Sequence, residues 1–99
     1  MTIMTKPIRF RFTKNAEKFL IKNTHRCNRE DIEALIIKAI GKMYGVKESV
    51  DIKRLQGLKP AKFRVRQGEI RIIFSFEDDE IIITALIEEI DRRGNISYA

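Results

Sequence analysis

Two short runs of alternating residues, set either side of Gln67-Gly68, constrain this chain more than any other feature. Before the step, Phe63 and Val65 alternate with Arg64 and Arg66. After it, Ile70, Ile72, Phe74 and Phe76 alternate with Glu69, Arg71, Ile73 and Ser75. Two period-two runs joined by a two-residue loop containing glycine predict a β-hairpin. With Gln67 and Gly68 as the loop, Arg66 faces Glu69, Val65 faces Ile70, Arg64 faces Arg71 and Phe63 faces Ile72. Residues directly opposite each other share a face of the sheet. One face is therefore apolar, while the other gathers Arg64, Arg66, Arg71 and Glu69. Three guanidinium groups on one patch repel each other, so a polyanionic ligand explains the cluster better than stability does.

A second hairpin extends the first. Glu77-Asp78-Asp79-Glu80 reads as an acidic turn into a strand from Ile81 to Ile87. With Asp78-Asp79 as the loop, Phe76 meets Ile81, Phe74 meets Ile83, Ile72 meets Ala85 and Ile70 meets Ile87. All eight fall on the apolar face already defined, so two separately assigned turns agree on one inward surface.

The rest of the chain supplies a cover for that surface. Residues 1–6 read as a lead-in, and Ile8, Phe10 and Phe12 alternate inward on a first strand. Thr13 caps a short helix running to about Asn23, with Ala16, Phe19 and Leu20 on one side. Asn28 caps a second helix on which Ile32, Leu35, Ile36, Ala39, Ile40 and Met43 keep helical spacing until Gly45 ends it. Residues 46–61 form a connector in which Asp51 to Leu55 is a short extended piece. Residues 88–99 read as a polar tail. The order is β-α-α-β-β-β in one α+β domain spanning residues 1–99. An antiparallel meander carries two helices over its apolar side, and the first strand joins an edge.

Composition narrows the function classes. At 99 residues, 43% hydrophobic and 34% charged, the chain suits one globular core. A single cysteine, Cys27, excludes an internal disulfide and suits a reducing cytoplasm, as does the lack of a long apolar leader. The net charge of +6 conceals an asymmetry: residues 1–66 hold 17 Lys/Arg against 6 Asp/Glu, whereas residues 67–99 hold 3 against 8. Lys53, Arg54, Lys59, Lys62, Arg64, Arg66 and Arg71 lie close together in sequence, a pattern that predicts nucleic-acid binding. His25 and Cys27 supply too few ligands for a zinc site, and no cofactor motif appears. His25, the one imidazole, cannot serve in a Ser/His/Asp set and reads as an exposed turn residue.

At Leu55-Gln56-Gly57, Phe63-Arg64-Val65-Arg66, Gly68-Glu69-Ile70-Arg71-Ile72-Ile73-Phe74 and the closing Arg92/Arg93 with Tyr98, the chain resembles the RelE/ParE superfamily of bacterial and archaeal toxins. The likeness runs from about residue 8 to 98, with the RelE-like, YoeB-related branch as the better fit. It implies the toxin of a type II toxin–antitoxin pair, with a cognate antitoxin as partner. For the RelE-like branch it implies a metal-independent endoribonuclease acting on mRNA in the ribosomal A site. For the ParE-like branch it implies a DNA gyrase inhibitor; a non-catalytic RNA- or antitoxin-binding member is the third reading. The resemblance places Arg64, Arg66 and Arg71 at the basic active-site positions, Glu69 at an acidic one, and Tyr98 at a base-stacking one. Arg92 and Arg93 stand six and five residues before Tyr98, where the family often spaces its arginine by four.

The chemistry follows from residue type. Metal-free RNA cleavage needs a 2′-hydroxyl to attack phosphorus through a dianionic species, and fixed cations at that charge are the strongest lever. Arginine supplies planar, bidentate donors for phosphate oxygens, so Arg66 and Arg71, with Arg64 beside them, are expected to clamp the phosphate. Arginine does not give up its proton, which leaves Glu69 to accept the hydroxyl proton. Arg92, Arg93 or Tyr98 would assist the leaving 5′-oxygen. Lys53, Arg54, Lys59 and Lys62 would follow the RNA backbone. The products are 2′,3′-cyclic phosphate and 5′-hydroxyl ends.

Overall fold

The computed structural model of the chain describes residues 7–25, 27–55, 57, 61–78 and 83–92; at residues 78, 83, 84, 89, 91 and 92 it describes the backbone alone. Strand β1 (Ile8–Phe12) alternates half-buried and exposed residues. Thr13 then accepts a hydrogen bond from the Ala16 backbone nitrogen at 3.2 Å and caps α1 (Lys14–Lys22). Asn28 and Asp31 exchange side-chain-to-backbone hydrogen bonds as a capping box at the start of α2 (Arg29–Met43). Arg29 lies 4.3 Å from the Phe12 ring centre and 3.4 Å from Glu17, tying α2 to β1 and α1. Four strands follow: β2 (Asp51–Leu55), β3 (Lys62–Gln67), β4 (Ile70–Asp78) and β5 (Ile83–Arg92).

The strands form one sheet in the order β1-β5-β4-β3-β2. β1 runs parallel to β5, and every other pairing is antiparallel. The chain leaving β1 must therefore cross to the far edge before entering β2. Four strand spacings amount to about 19 Å, and the fifteen residues of α2 span about 22 Å. The helices make this crossing over one face only. Ala16 and Leu20 of α1, with Ile32, Leu35, Ile36, Ala39 and Ile40 of α2, close onto Val65, Ile72, Phe74, Ala85, Ile87 and Ile90 of the sheet. Phe63 and Phe76 flank Phe74 at ring distances of 5.7 and 6.3 Å. Cys27 joins this core; burial, with a smaller contribution from the charge of Asp31, raises its thiol pKa and keeps it protonated.

The structure corrects several details of the sequence reading. Asp51–Leu55 is a full edge strand paired to β3, so the order is β-α-α-β-β-β-β. The central turn is Gly68-Glu69, with Gly68 at φ +59, the backbone that mirror-image hairpin turns require at their first central position. Gln67 consequently pairs with Ile70, Arg66 with Arg71, Val65 with Ile72 and Phe63 with Phe74. Relative to the expected register this is a slip of two residues, which leaves every side chain on its predicted face.

The β4–β5 pairing also slides, because β4 continues through Glu77 and Asp78. Phe74 meets Ile87 and Phe76 meets Ala85, and a bulge between Ile73 and Phe74 makes Glu88 the extra residue on β5. Beyond the bulge Ile90 is buried opposite Ile72, so residues 88–92 belong to the sheet rather than to a tail. Residues 1–6, the remainder of the acidic turn with Ile81, and residues 93–99 lie outside the described residues.

Phe74 is wholly buried at the centre of the sheet. Its truncation in Phe74→Ala is expected to cost about 3–5 kcal/mol, read as a lowered midpoint in urea unfolding; a cost below about 1 kcal/mol would contradict this packing.

Candidate nucleic-acid interface

Alternation fixes the site before any side chain is placed. Val65 and Ile72 are buried opposite each other beneath the helices, so the residues on either side of them must point the other way. Lys62, Arg64 and Arg66 of β3, Arg71, Ile73 and Ser75 of β4, and Asp51 and Lys53 of β2 therefore share the face that the helices leave uncovered. The ladder sorts them into rows. One row reads Asp51, Arg66, Arg71, Asp91 and the next reads Lys53, Arg64, Ile73, Glu89. Arg66 and Arg71 stand directly opposite each other, and Arg64 is the diagonal neighbour of Arg71, roughly 7–8 Å away between Cα atoms. The three arginines are thus brought together on the open face, as their alternation predicts.

Carboxylates hold this face in order. Asp51 reaches across from the edge strand and takes both β3 arginines. Its Oδ1 accepts from Arg64 Nη2 at 3.2 Å, its Oδ2 accepts from Arg66 Nε at 3.0 Å, and Arg66 Nη2 lies 2.8 Å from that same oxygen. Arg64 and Arg71 are each only 9% exposed, so most of both side chains is buried even though no helix lies over this face. At the other end of the face, Glu88 accepts from Lys62 Nζ at 2.6 Å and from Ser75 Oγ at 3.0 Å. The bulge puts Glu88 there, and its carbonyl oxygen is satisfied by the Thr13 hydroxyl at 2.6 Å. The residue that caps α1 also anchors the bulge.

Neither carboxylate was singled out in the sequence. Asp51 opens a stretch whose apolar residues, Ile52 and Leu55, do not alternate, and Glu88 follows the point where the alternation of β5 breaks. The expected Arg66–Glu69 pairing across the hairpin gives way to Arg66–Asp51, because Glu69 belongs to the turn itself and stands outside the ladder. Lys53 shares the arginine face, and Lys62 does so bound to Glu88. Arg54 pairs with Phe63 and belongs to the opposite face at the sheet edge. Arg92 ends β5 opposite Ile70, while Lys59, Arg93 and Tyr98 fall outside the described residues.

A cleft of about 370 Å³ opens elsewhere, between α2 and the β3–β4 turn, against Ile32, Leu35, Gln67 and Ile70. It shares no lining residue with the arginine set. A flat cationic face is no cavity, and polyanion binding depends on charge rather than enclosure, so the arginine face is the better candidate.

The hydrogen bond from Arg66, aided by that from Arg64 and by both charges, holds the Asp51 carboxyl below its ordinary pKa despite some desolvation. A depressed carboxyl contributes stability that is complete above its unfolded value, about 4, and disappears as pH falls through the folded value. The stability difference between the native chain and Asp51→Asn should therefore be constant near neutrality and shrink below about pH 4. Urea titrations across pH 2–7 measure it, and a difference growing on acidification would contradict the pairing.

No family model and no curated protein sequence matches the chain. Among solved structures, it superposes on a chain of the archaeal RelE–RelB complex from Pyrococcus horikoshii OT3 with TM-score 0.53 and 24% identity, covering 94% of this chain and 100% of that one. It superposes on a chain of the toxin–antitoxin complex RelBE2 from Mycobacterium tuberculosis with TM-score 0.51 and 21% identity, covering 95% and 100%. A five-stranded sheet with two helices on one face, matched over nearly its whole length, has the RelE-like toxin fold.

Proposed function

We propose that this chain is the toxin of a type II toxin–antitoxin pair and a metal-independent endoribonuclease that cuts mRNA in the ribosomal A site. The observation that carries the proposal is the convergence of Arg64, Arg66 and Arg71 on the uncovered sheet face. Both structural neighbours come from complexes of a toxin with its antitoxin, which supports a cognate antitoxin as the partner here.

In this reading the arginines receive the scissile phosphate, and their charge is worth most as the phosphorane dianion develops. Glu69, exposed in the turn beside Arg71, accepts the 2′-hydroxyl proton. Arg92, Arg93 or Tyr98 assists departure of the 5′-oxygen, and Tyr98 stacks on a base. Lys53 and Lys62 extend the cationic track along the RNA backbone. No step calls for a metal ion or cofactor, since the arginines provide the positive charge.

The test is primer extension on messages from cells briefly expressing the native chain, Arg66→Ala or Arg71→Ala, with thermal melts as folding controls. The native chain should generate new 5′-hydroxyl ends within translated messages. Loss of one clamping arginine should reduce them about 100- to 1,000-fold. Cleavage at native levels in both variants would remove the site. Toxicity accompanied by DNA-damage signalling and intact messages would instead select a gyrase poison.

A further inference from the structure

We infer that Asp51 is a positioning residue of the arginine site, fixing the guanidinium planes of Arg64 and Arg66 so that their remaining donors face a phosphodiester. The inference rests on the nuclease reading and adds to it a group contributed by the edge strand. Its basis is the way one carboxylate is shared. Arg66 donates through Nε to Oδ2 and brings Nη2 within 2.8 Å of the same oxygen, while Oδ1 accepts from Nη2 of Arg64.

A guanidinium has five N–H donors in a rigid fork. The Nε hydrogen bond and the close approach of Nη2 to one oxygen set the plane of Arg66 and leave its Nη1 edge for another anion. Arg64, which gives Asp51 one nitrogen, keeps 11% of its side chain exposed for contact with an anion. A carboxylate with 46% of its side chain exposed is not a core ion pair; it lies at the surface where RNA would arrive. The pairing also offsets the repulsion among three closely set cations that a ligand-free protein must tolerate. The ladder places Asp51 for this task. It pairs with Arg66 in register, and Lys53 pairs with Arg64, so the carboxylate stands at the end of the Arg66–Arg71 row. One carboxylate among three arginines leaves the cluster itself cationic, although Asp91 and Glu89 close the two rows on β5.

Removing the charge should therefore separate affinity from turnover. In Asp51→Asn the face becomes more positive, so a fluorescein-labelled twelve-nucleotide single-stranded RNA should bind as tightly as to the native chain or more tightly at low salt. Cleavage of message on purified ribosomes should nonetheless fall about 10- to 100-fold in kcat, because the arginines lose their fixed geometry. Asp51→Glu, which keeps the charge, should recover part of that loss. The Arg66 Nε–H resonance should exchange with water more slowly in the native chain than in Asp51→Asn, a readout independent of RNA.

Unchanged kcat in Asp51→Asn, on a native chain that does cleave, would overturn the inference and leave the nuclease reading standing. So would a parallel loss of affinity, kcat and thermal stability, the signature of a merely structural residue. A native chain that cleaves no message overturns the nuclease reading itself, and with it the catalytic role given to Asp51.

Discussion

The site depends on the burial of Val65 against Ile72 beneath the two helices. Both are fully buried and directly paired, and the pleat then leaves Arg64, Arg66 and Arg71 no position except the open face. Bringing like charges together is unfavourable, and here apolar burial enforces it. Moving the arginines elsewhere would require a one-residue slip, which would expose Val65, Ile72 and Phe74 together. Stability of the core and geometry of the cationic face are therefore one constraint seen from two sides.

Carboxylates refine what the ladder imposes. Asp51 comes from an edge strand, where it pairs in register with Arg66, and Glu88 from a bulge that leaves it outside the ladder. Each restrains basic residues of β3: Asp51 holds Arg64 and Arg66, and Glu88 holds Lys62. Thr13 links the bulge to the cap of α1, so the layer covering the core and the layer presenting charge meet at Glu88.

Most of the fold was legible because its signals were periodic. Thr13, Asn28 and Gly45 mark the helix ends through side-chain and backbone chemistry that needs no tertiary context. The faces of β3 and β4 survived a wrong turn assignment because the error was an even number of residues. What escaped was set by partners distant in sequence. β2 carries charged residues at Asp51, Lys53 and Arg54, so its strand character comes from pairing with β3 rather than from its own pattern. The parallel match of β1 to β5 depends on helices carrying the chain across the sheet. The bulge at Glu88 changes the periodicity of β5, so a reading based on alternation ends the strand there and misses both Ile90 in the core and Glu88 on the open face. The arginine cluster was visible from sequence, whereas the acids that organise it were not.

In the proposed function RNA meets the sheet face opposite the helices through Arg64, Arg66 and Arg71. A titration of isotope-labelled protein with a short single-stranded RNA, followed by NMR of backbone amides and arginine Nε–H groups, tests this contact. The largest shifts are expected on the three arginines and on Ile73, which pairs with Arg64, while exposed Ile21 and Ile37 on the helices stay unmoved. Shifts confined to the helices, or none at saturating RNA and low salt, would contradict it.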